Sequence, residues 1–219
     1  MIRKSISLLL LSLSSSMASA GTMGPPPPPP MVDVHPWSIT GTLGYGAFEY
    51  AASGEGQTPV GRLAIGKSFM DFGRSSIGLE MGVQNGKTMD LYIPQGTLDL
   101  LGGLPIEATI TPFIDLLGTI RMNFNEASPF FLDVKLGAAY RRLNIIGRNT
   151  VNNKSQFAGE LQAGIGACIT EISTLSILYQ GVYGGSLDFT ADAVNATGTI
   201  GNIPVQNSIL LSANVLLNV

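Results

Sequence analysis

Charged side chains are scarce. They make up 12% of the 219 residues, about half the share of an ordinary soluble domain, where roughly 25% is usual. Histidine and cysteine occur once each. One cysteine excludes an internal disulfide framework and a cysteine-based zinc site. One histidine leaves little for general-base catalysis. Basic residues number 12 against 15 acidic ones, with no basic run, which excludes the electrostatic footprint of a nucleic-acid binder. Beyond residue 20 no apolar run reaches the roughly 18 residues of a membrane-spanning helix. Yet apolar residues make up 45% of the chain and mean hydropathy is +0.30. That is too much to bury for a disordered chain. The hydrophobicity must therefore be dispersed in a pattern other than helical spans.

The first 20 residues carry the three regions of a secretory signal peptide. Arg3 and Lys4 start it, an apolar stretch runs over 8–13, and Ala18-Ser19-Ala20 meets the small-residue rule for cleavage after Ala20. An anchoring helix would need a longer apolar run. Cleavage removes two bases and leaves 10 basic against 15 acidic residues. Sec-dependent export out of a bacterial cytoplasm follows as an expectation. Residues 21–36 form a proline-rich segment with six consecutive prolines at 25–30. Proline fixes φ and donates no hydrogen bond, so a stiff polyproline II spacer is expected here, with a docking motif as the alternative.

From residue 37 onward apolar and polar residues alternate, the period of a β-strand. Eight blocks stand out: about 37–50, 59–69, 76–86, 106–124, 130–143, 155–169, 174–184 and 207–219. Connections after the second, fourth and sixth are short. Those after the third, fifth and seventh (87–105, 144–154 and 185–206) are long, and the stretch 91–101 could hold a short extra hairpin or helix. Alternately short turns and long loops are the habit of outer-membrane barrels. The pattern predicts an all-β chain: an eight-stranded antiparallel up-and-down transmembrane β-barrel over 37–219, with short periplasmic turns and longer extracellular loops.

A soluble lipocalin-like barrel would share the alternation but point its apolar face inward. Its polar face would meet water and be dense in Lys and Glu. Here the polar face is mostly Gly, Ser, Thr, Gln and Asn, which suits the tight bore of an eight-stranded membrane barrel. The charges on that face nearly balance. Arg62, Arg121, Lys135 and Arg141 are expected inside with Glu80, Glu107, Asp115, Asp133 and Glu160. A turn centred on Ala127 sets Arg121 opposite Asp133, with Asp115 diagonal to Lys135 and Arg141. Buried unpaired charges are costly, so a charge-paired polar plug is predicted. Aromatics sort by strand end, as in the two girdles of a membrane barrel. Trp37, Phe69, Phe72, Phe124, Phe130 and Phe131 fall at the periplasmic ends. Tyr45, Phe48, Tyr50, Tyr140, Phe157, Tyr179 and Tyr183 fall near the outer ends.

Four segments resemble those of small outer-membrane β-barrel proteins of intracellular gammaproteobacterial pathogens: residues 20–25 (AGTMGP), 112–121 (PFIDLLGTIR), 137–142 (GAAYRR) and 179–184 (YQGVYG). The broader likeness, over about 37–219, is to the OmpA-like transmembrane domain. The resemblance implies an outer-membrane location among lipid and lipopolysaccharide, and insertion by the barrel-assembly machinery after passage with periplasmic chaperones. Such barrels usually end in an aromatic residue, whereas this sequence ends in Val219. No peptidoglycan-binding segment follows the barrel, so a wall-anchoring role is not carried over.

Catalytic chemistry is thinly represented. His35 precedes the first strand beside Pro36 and Trp37, far from any outer-end site. Cys168 has the parity of the bore, where a lone thiol is inert. Asp90, Asp188 and Asp192 sit in long loops without calcium-loop spacing. No cofactor, metal or nucleic-acid partner is expected. The reading is a non-enzymatic barrel supporting envelope integrity, its outer loops an interaction surface open to host molecules. A small-solute, porin-like pore and a host-directed adhesin stand as the alternatives.

Overall fold

A computed structural model describes residues 36–51, 56–125, 128–148, 150–192 and 194–217. The expected signal peptide with Ala18 and Ala20, the prolines at 25–30, His35 and Val219 lie outside the described residues. The strands are β1 (Trp37–Phe48), β2 (Gln57–Phe72), β3 (Ser75–Gln84), β4 (Lys87–Leu91), β5 (Ile106–Ile110), β6 (Phe113–Asn123), β7 (Phe130–Ile145), β8 (Lys154–Cys168), β9 (Ser173–Tyr183), β10 (Phe189–Asp192), β11 (Thr197–Ile200) and β12 (Gln206–Leu217), with one short helix, α1 (Gln95–Asp99). Among the described residues no helix is long and apolar enough to cross a membrane.

Ten strands form one antiparallel sheet in which β4 and β5 are an annex. The other eight run β1-β2-β3-β6-β7-β8-β9-β12, and β12 pairs back onto β1. Closure leaves the eight-stranded barrel without a free edge. Its neighbours are sequential because each short turn joins adjacent strands. At the β2–β3 turn Gly73 adopts φ +59°, a conformation costly for a residue with a Cβ.

The alternation decides which way each side chain points. Leu43 and Leu136 lie on the outer wall, 72% and 65% exposed, as do Ile39, Leu63, Ile114, Ile177 and Val215. The inner wall carries Thr40, Thr42, Gln84, Gln162, Ser176, Gln180 and Ser212, all buried. Apolar-out and polar-in is the arrangement of a membrane barrel and the reverse of a soluble carrier.

The fourth predicted block departs from expectation. It is two strands, broken at Thr111 and Pro112. Pro112 cannot donate to a ladder, and one extra residue there shifts the pairing with β7: Ile110 faces Leu143, whereas Ile114 faces Tyr140. A one-residue slip inverts the faces. Ile106, Ala108 and Ile110, expected on the lipid side, are buried inside. Glu107, expected in the lumen, is exposed on the outside, across from Asp90 on β4. Of the two alternatives for 91–101 the helix is the one found there, α1, and it is enclosed by a wider hairpin of β4 with β5 that takes in the start of the fourth block.

Candidate functional site

Inside the bore lies an ionic partition built from five strands. Arg62 on β2 is its centre. Its Nη1 donates to Glu80 Oε1 at 2.6 Å. Its Nε donates to Asp115 Oδ2 at 2.8 Å, and Nη2 donates to Asp115 Oδ1. This fork-on-fork geometry is what guanidinium offers and ammonium does not. Lys135 Nζ completes Glu80 from β7, at 3.0 and 2.9 Å from its two oxygens. Thr40 Oγ1 adds a third donor at 3.1 Å. All five side chains are buried. Gly82, opposite Asp115 in register, makes the space: a Cβ there would sit 2.5–2.7 Å from the Arg62 guanidinium atoms. The wall is thus small where the plug is large.

Sequence spacing placed the other charges less well. Asp115 is gripped by Arg62, not by Lys135 or Arg141. Arg121 does stand opposite Asp133 in register. Its guanidinium, however, lies 4.3 Å over the Phe131 ring and reaches Thr174 Oγ1 at 3.5 Å. Phe131, counted among the girdle, points into the bore and is fully buried. Arg141 donates to two backbone carbonyls, Pro204 O at 2.8 Å and Ile203 O at 3.3 Å. Glu160 Oε1 accepts from the Nε2 atoms of Gln162 and Gln180, each at 2.7 Å. Gln180 Nε2 also reaches Gln84 Oε1 at 2.8 Å. The buried charges are Arg62, Lys135 and Arg141 against Glu80, Asp115, Asp133 and Glu160, and half-buried Arg121 evens the count.

Above this polar layer sits a feature that the sequence did not reveal. Met89, Leu91, Ile93, Leu98, Ile106, Ile110, Phe113, Leu143, Val182, Ile200 and Ile203 form an apolar core across the outer mouth. Phe48, expected on the outer girdle, turns inward to join it. Polar ties hold the cap down. Gln156 Oε1 accepts from Ile203 N at 2.8 Å, and Arg148 donates to Leu104 O at 2.6 Å and Leu101 O at 3.2 Å. Among their described residues the long loops therefore pack on one another and on the barrel. Their alternating apolar residues, such as Met89, Leu91 and Ile93, were the available signal.

Two aromatic bands mark the wall. Trp37, Phe69, Phe124 and Phe130 are exposed at the turn end, and Lys67 Nζ lies 4.9 Å over the Trp37 ring. Tyr45, Tyr50, Tyr140, Tyr179 and Tyr183 are exposed at the loop end, with Tyr140 and Phe157 ring centroids 5.1 Å apart. Cys168 ends β8 and is exposed, not buried in the bore. Among the described residues no group of three or more His, Cys, Asp or Glu side chains is placed to hold a metal ion.

No family model and no curated protein matches the sequence. Among solved structures the chain is similar to Ail, the attachment invasion locus protein of Yersinia pestis, with 9% identity, TM-score 0.47, and coverage of 84% of this chain and 97% of that one. It is also similar to Neisserial surface protein A at 7% identity and TM-score 0.44, covering 84% and 97%. A third similar structure is the N-terminal β-barrel domain of Pseudomonas aeruginosa OprF, at 10% identity and TM-score 0.42, covering 82% and 97%. The eight-stranded architecture itself rests on the strand pairing described above. That pairing closes β12 onto β1.

Proposed function

We propose that this chain is a non-enzymatic integral outer-membrane β-barrel that supports the bacterial envelope and presents its capped loop end outward as an interaction surface. The observation that carries the reading is the inverted wall. Large apolar side chains cover the outside between two aromatic bands, while Arg62, Lys135, Glu80 and Asp115 sit inside as one ion-paired set. Export through Sec, escort by periplasmic chaperones, insertion by the barrel-assembly machinery, and contact with lipopolysaccharide and host surface molecules belong to the same proposal. The ionic partition and the apolar cap are two barriers in series, which favours a closed barrel over a pore. Catalysis lacks an assembled nucleophile and base among the described residues.

Cell fractionation with gel mobility before and after boiling tests the location. The expected result is recovery with outer membranes and a heat-dependent mobility shift, because a folded barrel resists detergent. Recovery in the soluble periplasm without a shift would sink the proposal. Planar bilayers test closure: the reconstituted protein is expected to show no steady channels, and constant open-state conductance would favour the pore.

A further inference from the structure

The six tyrosines are unevenly placed: Tyr45, Tyr50, Tyr179 and Tyr183 lie on or beside β1, β9 and β12, leaving Tyr92 and Tyr140 elsewhere. Around outward-facing Ala47 the register builds a frame. Gln57 and Asn207 flank Ala47 from β2 and β12. They stand two strands apart, about 10 Å between backbones. Tyr45 lies two residues below and Glu49 two above. The frame is tied internally. Tyr179 OH donates to Asn207 Oδ1 at 2.5 Å and lies 3.1 Å from Tyr183 OH. Asn207 Nδ2 donates to Glu49 Oε1 at 3.4 Å, and Tyr45 OH donates to Gln57 Oε1 at 2.9 Å.

These ties leave valences open. Among the described residues Gln57 Nε2, the second Asn207 N–H and Glu49 Oε2 have no partner. Donors and an acceptor beside exposed tyrosine rings suit the hydroxyls and apolar faces of a sugar ring. Immediately below, the wall becomes apolar: Pro59, Ile209, then Leu43, Gly61 and Leu211. A Cβ on Gly61 would meet only Leu43 Cδ2, at 3.9 Å, so the surface there is low and open. A hydrogen-bonding frame above a smooth greasy strip matches an amphiphile approaching sideways. Across the barrel the wall carries the Tyr140–Phe157 ring pair and Arg142, whose Nε already donates to Asn144 Oδ1.

We infer that the frame around Ala47 is a binding site for the sugar headgroup of an acylated glycolipid, whose chains lie along Leu43, Gly61 and Leu211. This rests on the outer-membrane reading and names one lipid contact within it. The bound sugar fixes the barrel's rotational setting among its lipids and keeps one face in contact with the same headgroup.

The test uses the full chain in phospholipid nanodiscs doped with a rough lipopolysaccharide, scored by native mass spectrometry for lipid retained on release. Wild type is expected to retain the glycolipid and to release phosphatidylglycerol. Gln57→Leu and Asn207→Leu should each weaken retention about tenfold, the scale of one or two lost hydrogen bonds. Glu49→Gln, a milder change, guards against misfolding and should weaken it in the same direction. Phe157→Leu, in the other sector, should leave retention unchanged. Equal retention by wild type and the frame variants overturns the site. Equal binding of the deacylated sugar overturns the lipid as its source. Failure of wild type to enter nanodiscs at all instead overturns the outer-membrane reading beneath it.

Discussion

Replacing Arg62 with alanine is expected to destabilise the barrel by about 3–5 kcal/mol, the cost of stranding buried charge without its partner. Arg62 is the only cation bonded to both Glu80 and Asp115 among the described residues. Without it Asp115 has no cation, and Glu80 keeps only Lys135. Neither carboxylate can turn to bulk water, because both are buried in the bore. Urea unfolding in detergent micelles, followed by the single tryptophan, Trp37, reads the loss as a lower midpoint. Arg62→Lys should recover part of it, since an ammonium keeps the charge but not the two-pronged grip on Asp115. Adding Asp115→Ala to Arg62→Ala should also recover part of it. The stranded carboxylate is then gone, and the two losses are not additive. Equal midpoints for wild type and Arg62→Ala would mean that the partition contributes nothing to folding.

The second large effect is on the other wall. Leu136 sits mid-way along β7, between Phe130 and Tyr140, with its side chain pointing out. Leu136→Arg is expected to cost about 2–4 kcal/mol in a bilayer, the penalty for arginine at the midplane of a barrel's lipid face. On a water-exposed surface the same exchange would change stability by no more than about 0.5 kcal/mol. The effect should also depend on depth. Arginine near the loop-end band, for example at Phe157, should cost less, because the side chain snorkels to the headgroups. A flat response along the strand would contradict a hydrocarbon surround.

Most of the barrel was legible in the sequence because alternation is a local signal. Leu63, Ile65, Leu79, Met81 and Ile177 each sit where period two puts them, on the outer wall. The facing of Arg121 and Asp133 followed from turn length alone. What failed was parity carried across an irregularity. Ile106, Ala108 and Ile110 look like lipid-facing residues, and so would any apolar alternation. Only the extra residue at Thr111–Pro112, visible in the pairing, turns them inward and sends Glu107 out. Phe48 and Phe131 were misplaced for a related reason. Each lies at a strand end, where an aromatic can serve the girdle or plug the bore, and composition does not distinguish the two. The apolar cap depends on contacts between loops far apart in sequence, such as Ile203 with the β4–β5 hairpin. The lumen side chains were identified, but their partners were not. Which carboxylate Arg62 takes depends on side-chain reach across the bore, which the strand period does not encode.

Moving the single tryptophan tests the inverted wall most directly. In a Trp37→Phe background, Leu136→Trp places the only indole at mid-strand on the outer face, and its fluorescence can be quenched by lipids labelled at different depths or by aqueous iodide. Strongest quenching by labels near the bilayer centre, with iodide without effect, is the predicted result. Strong iodide quenching and no response to any lipid label would put that wall in water and contradict a membrane barrel.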